Sequence, residues 1–144
     1  MVVVALFVSY KTTAEQVQVA DIGDISELNG SAQIVRNKTS NTAALKLGIQ
    51  TYDEAITKNG RMAITFLDNS TVKLTEHSQL VVDEYIYDPD PSKSKMSLNF
   101  ALGTARFITG NLNRIDKQNI KLSTPTANIA IRGTDFTATV DELG

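Results

Sequence analysis

The side chains able to do chemistry are few in this chain, and they fall in three places. His77 is the only imidazole, and no cysteine occurs anywhere in the 144 residues. One nitrogen ligand with no thiolate is too few to close a transition-metal shell. As a general base, His77 would need a nucleophile and an orienting partner, and no such triad is recognisable around it. It follows the polar end of a strand pattern, so it is expected on an exposed turn. The second place is the carboxylate cluster Asp83, Glu84, Asp88 and Asp90. Asp88-Pro89-Asp90-Pro91 sets two hard oxygen ligands on a stiff loop, which suits Ca²⁺. The EF-hand spacing and its central glycine are missing, so a solvated, proline-stiffened turn countered by Lys93 and Lys95 is expected. A glycosidase pair drawn from these acids lacks an aromatic cleft to hold a sugar. The third place is Arg132, in Arg132-Gly133-Thr134. Its planar fork can lock a corner against Asp135 or Asp116, or face a partner's carboxylate. Structural pairing is the expected role. No catalytic residue, cofactor or metal ligand emerges, and the chain reads as non-enzymatic.

The elements that carry these residues read as strands. Apolar and polar residues alternate through Ile120 and Leu122, Ile129 and Ile131, and Phe136, Ala138 and Val140. Strict alternation marks strands with one buried face. Pro125 cannot donate to a ladder, and Gly133 permits a twist that a Cβ resists. Further strands are expected at Val17 to Glu27, Ala32 to Arg36, Ala44 to Ile49, Arg61 to Leu67, Thr71 to Glu76 and Gln79 to Tyr87. Met96, Leu98, Phe100 and Leu102 alternate cleanly, Gly103 breaks the run, and Ala105 and Phe107 resume it. Turns are expected at Asn29-Gly30, Asn59-Gly60, Asp68-Asn69 and Gly110-Asn111, with the two Asn-Gly pairs the strongest signals. Short strands at this density indicate a sandwich, roll or barrel. The expected inward side chains are Phe66, Leu74, Phe100, Phe107, Ile129 and Phe136.

A chain of 144 residues with a net charge of −2 fits one domain. Lys and Arg are spread along it without a basic patch, Trp is absent, and aromatics are few. Nucleic acid is therefore not an expected partner. Val2 to Val8 is apolar but far shorter than the ~20 residues a membrane span requires, and no basic residues precede it as in a signal peptide. It is expected to be a strand or assembly arm. The domain division is thus an arm at residues 1–16 and a β domain at 17–144.

The order of strand, Thr124-Pro125 corner, short strand, Arg132-Gly133-Thr134 turn and strand resembles the FecR domain. Ile64, Phe66, Asp68-Asn69-Ser70, Val72 and Leu74 resemble the family's strand, Asp-Gly-Ser turn and strand, with Asn69 in the glycine's place. Glu76 to Leu80 and Gly30-Ser31-Ala32 leading into Ile34-Val35 extend the likeness over roughly residues 22 to 141. The resemblance implies a non-catalytic domain that relays signals in bacterial envelopes and also occurs in tailed-phage proteins. It tilts the fold toward an all-β, elongated roll or solenoid-like sandwich of about ten short, mostly antiparallel strands. The family's signalling members add a segment that touches a sigma factor, a membrane helix and a region that contacts an outer-membrane transporter. None is recognisable here, which points to a fragment or a shortened relative. The expected function is therefore an assembly component of a phage virion or extracellular surface, acting through copies of itself or neighbouring structural subunits. The alternative is a periplasmic relay domain of an anti-sigma or iron-uptake system. Strand addition at the two chain ends would use Val3, Leu6, Val8, Phe136 and Val140, with Arg132 and Thr134 at the turn.

Overall fold

The computed structural model describes residues 19–110, 115–130 and 135–141. Its organising feature is a set of long strands that each bend at one line and so belong to two half-sheets. β1 (Gly23–Asn29) runs on into β2 (Ala32–Arg36). β5 (Glu54–Thr57) runs on into β6 (Arg61–Phe66), and β7 (Thr71–Leu74) into β8 (Gln79–Ile86). β9 (Lys95–Ile108) makes the same crossing without interruption. One half-sheet pairs β1 with β6, β6 with β7 and β7 with the second half of β9. The other pairs β2 with β5, β5 with β8 and β8 with the first half of β9. These strands belong to a single curled sheet, a half-barrel rather than a closed barrel.

Backbone hydrogen bonds continue through the crease. Lys58 N donates to Ser31 O at 3.1 Å, His77 N to Lys58 O at 3.0 Å, and Thr75 N to Thr104 O at 3.1 Å. Thr57 Oγ1 donates to Thr75 O at 2.6 Å and accepts from Ser78 N at 2.8 Å. A sharply folded sheet would otherwise leave these groups unpaired in a buried place, which is costly. Gly103 shows why the residue type matters. Its φ is +100°, and a Cβ there would overlap the Ser78 side chain. The expected strand break at Gly103 is therefore a bend, and β9 is one strand of 14 residues. The two Asn-Gly pairs are corners of this crease and not hairpins, since β1 does not pair with β2, nor β5 with β6.

The remaining strands close the edges. β3 (Thr39–Thr42) caps β2, and the two-residue β4 (Gly48–Ile49) caps β1. β10 (Ile120–Ser123) pairs with β9 in parallel, and β11 (Asn128–Ala130) pairs with β10. β12 (Asp135–Val140) pairs with the second half of β9. True hairpin turns lie at Asn37-Lys38, with φ of 51° and 65°, and at Asp68-Asn69, with φ of 69° at Asn69. Positive φ at both central residues is the turn that follows the right-handed twist of a hairpin. The strand expected over Ala44 to Ile49 is mostly turn, because Lys46 adopts φ 69° and only Gly48–Ile49 pairs.

The core fills the space between the half-sheets. On one inner face Ile25, Ile64, Val72 and Phe107 stand in register across four strands. On the other, Ile34, Ala55, Leu80 and Phe100 do the same. All eight are buried. Each large aliphatic or Phe side chain so removed from water contributes about 1.5–3 kcal/mol. Of the six expected inward residues, Phe66, Leu74, Phe100 and Phe107 are fully enclosed. Ile129 and Phe136 are half-buried against the core.

Candidate functional site

Opposite the crease, the open mouth of the folded sheet is tied by buried polar groups. Tyr85 ends the inner face of β8, and Asp68 sits in the hairpin between β6 and β7. The Tyr85 hydroxyl donates to Asp68 Oδ1 at 2.7 Å and accepts from Asp68 N at 3.0 Å. Ser70 Oγ donates to the other carboxylate oxygen of Asp68 and accepts from Gly110 N at 3.1 Å. The Tyr85 ring stacks on Phe66 at a centroid distance of 5.2 Å. Burial pushes the Tyr85 phenol well above the ordinary tyrosine range, and the hydrogen bond to Asp68 adds to this. Ser, Asp and Tyr side by side suggest nucleophilic chemistry, but Ser70 has no accessible surface. Its donor and one acceptor position are both engaged within the protein. The Asp-Asn-Ser segment is therefore a clasp.

A second tie lies at the same end. The Arg36 guanidinium grips Asp53 through Nε at 2.8 Å and Nη2 at 2.7 Å, and Nη2 also reaches Gly48 O at 2.9 Å. The Asp53 side chain is 2% exposed and also accepts from Gln50 N at 2.8 Å. Hydrogen bonding to Asp53 raises the Arg36 pKa further above its ordinary value. The pair joins the end of β2 to the loop that carries β4. Neither Asp53 nor Tyr85 stood out in the sequence, because Asp53 lies in the loop just before β5 and Tyr85 sits in an unremarkable alternating strand.

The residues singled out for chemistry are dispersed. His77 is exposed at the crease with φ 56°. Asp88 Oδ1 accepts from Asp90 N at 2.9 Å, and Asp90 Oδ1 accepts from Ser92 N and Ser92 Oγ. These bonds hold the Asp90 carboxylate below its ordinary range. The two acids therefore shape their own loop, and Asp90 caps the short 3-10 turn Pro91–Lys93. Arg132 and Thr134, like Val3, Leu6 and Val8, lie outside the described residues. Asp135, one expected partner of Arg132, is gripped by Arg106 from β9 through Nε at 3.0 Å and Nη2. Phe136 rests on Phe107 at 5.9 Å and Val140 is buried. Both turn inward, so β12 offers outward only Asp135, Thr137, Thr139 and its backbone.

The outer face of the β12 half-sheet is ordered by ion pairs. Arg106 of β9 pairs with Asp135 of the neighbouring β12, Lys73 of β7 reaches across β6 to Glu27 of β1, and Arg61 of β6 pairs with Glu76 in the turn after β7. They rim a shallow groove of ≈ 610 Å³. Among the described residues no three potential metal ligands converge, and no helix is long and apolar enough to cross a membrane.

A protein-family model described as FecR protein matches residues 53–144. It begins at β5, so the likeness noted at Gly30-Ser31-Ala32 falls outside the matched stretch, although β1 and β2 are full members of the sheet. No curated protein and no solved structure matches the chain. FecR proteins are regulatory, generally non-enzymatic and typically associated with the bacterial envelope, and their domains mediate protein contacts. The match lends no support to the expected virion or extracellular assembly role. With well over half of its length matched, the chain belongs to the FecR family.

Proposed function

We propose that this chain is a non-enzymatic relay domain of the bacterial envelope, working in the periplasm through contacts with other proteins. The family match over residues 53–144 carries the reading. The way the chain spends its polar side chains supports it. Asp68, Ser70, Tyr85, Arg36 and Asp53 are consumed in holding the folded sheet together, while His77 in its turn lies apart from Asp88 and Asp90 in their loop. Such a domain transmits information by which surface it offers. On β12 the contact is made by the strand edge with Thr137 and Thr139, while Phe136 and Val140 anchor the strand from within. Edge strands of this kind accept an added strand through main-chain hydrogen bonds. The test is transcription in the source cell with the gene deleted and restored. A change in an envelope-regulated transcript set, reversed on restoration, is expected. Transcripts indistinguishable from wild type, together with recovery of the protein in assembled particles, would overturn it.

A further inference from the structure

The outer faces of the two half-sheets differ. On the β12 half, Arg61, Lys73 and Arg106 are each matched by a carboxylate within the protein. The other half carries an unmatched carboxylate among apolar side chains. Glu54 of β5 stands in register between Val35 of β2 and Val81 of β8. Ile56, two residues along β5, shares its face, and Leu102 follows beyond Gln79 in the same row. All four apolar side chains are half-buried, as is Glu54 itself. Glu54 has no ion-pair partner among the described residues. Arg36, next to Val35, is committed to Asp53 on the inner side. The other cations on the strands of this half, Lys95 and Lys121, stand on β9 and β10, on the far side of β8, while Lys38 lies in the β2–β3 turn and Lys58 in the crease after β5.

A carboxylate set in an apolar patch is partly stripped of water and gains most from a cation that arrives with apolar neighbours. Interfaces combine such a central group with a surrounding apolar ring that excludes solvent. Tyr52 adds to the rim. It lies two residues before Glu54, is 77% exposed, and is held against β8 by its amide bond to Val82 O at 2.7 Å. We propose that this face, centred on Glu54, docks a protein segment that presents a Lys or Arg flanked by apolar side chains. The inference deepens the relay reading, on which it rests, by adding a second surface, apart from the β12 edge, and the chemistry of the partner it takes.

Two probes test it on the full chain, labelled with ¹⁵N and followed by amide shifts. One is a capped nine-residue peptide of alternating Val and Ser with a central Lys. The other carries Glu in place of that Lys. The Lys peptide is expected to move the amides of Val35, Glu54, Ile56 and Val81 and to bind about tenfold more tightly than the Glu peptide. Glu54→Gln should erase the preference and Glu54→Lys should invert it, with unchanged thermal unfolding showing that both variants fold. Equal binding of the two peptides, no shift at millimolar peptide, shifts confined to the β12 half, or a preference that survives Glu54→Lys would each overturn the proposal. Deletion of the gene still altering transcripts after such a result would leave the relay reading standing and this surface wrong.

Discussion

Replacing Tyr85 by Phe removes one oxygen and leaves the shape of the core intact. The ring still stacks on Phe66 at 5.2 Å. What is lost is a donor to Asp68 Oδ1 and an acceptor for Asp68 N. Asp68 is 3% exposed, so water cannot readily substitute. A hydrogen bond to a charged acceptor contributes about 1.5–3 kcal/mol, and an orphaned buried amide costs about 1 kcal/mol or more. Tyr85→Phe should therefore destabilise the protein by about 2–4 kcal/mol. At the entropy of unfolding of a domain of this size, that lowers the melting temperature by about 5–15 °C. Urea unfolding followed by circular dichroism measures it, with the midpoint falling and the slope unchanged. A cycle with Asp68→Ala should return a coupling of about 1–3 kcal/mol between the two positions. A loss below about 0.5 kcal/mol, or no coupling, would show that the mouth of the sheet is not held by this bond.

Other outcomes follow from the same structure. The folded Tyr85 phenol is raised above its unfolded value near 10, so the folded state keeps a proton that the unfolded state releases. The Tyr85 contribution to stability should be constant below that pH and be lost as pH rises beyond it, so that alkaline stability falls less steeply in Tyr85→Phe; alkaline urea titrations check this. Gly103→Ala, which collides with Ser78 at a positive φ, should cost more than about 2 kcal/mol, read by thermal unfolding. Phe100→Ala should cost about 3–5 kcal/mol, whereas the half-buried Phe136→Ala should cost about 1–3 kcal/mol. Equal losses at the two positions would contradict the assigned burial.

Much of the β architecture was legible because one-sided burial leaves alternation in the sequence. Arg61 to Phe66, Gln79 to Ile86 and the runs on both sides of Gly103 carry it. β3 was illegible because all four of its residues are exposed at an edge, so no buried face imprints a period. β5 was missed because its buried positions are Ala55 and Thr57 while Ile56 faces outward, so no apolar period marks its inner face. The Asn-Gly pairs misled for a physical reason: a crease and a hairpin need the same backbone freedom, and only the pairing partner distinguishes them. The clasp was beyond reach from local sequence. Asp68 and Tyr85 are 17 residues apart and Ser70 and Gly110 are 40 apart, and nothing in their neighbours reveals that the folded sheet brings them together. Glu54 was hidden with β5, since its importance lies in what stands beside it on β2 and β8.

The central claim is that this domain works by contact and carries out no chemistry of its own. The most direct test is restoration of transcription in gene-deleted cells by a chain bearing His77→Ala, Asp88→Asn and Asp90→Asn together. Those changes remove the exposed groups best suited to acid–base or metal chemistry. The asparagines can still accept the backbone bonds that shape the loop. Full restoration of wild-type transcript levels is the predicted result. Loss of output from a variant that folds and unfolds like the parent would contradict the account.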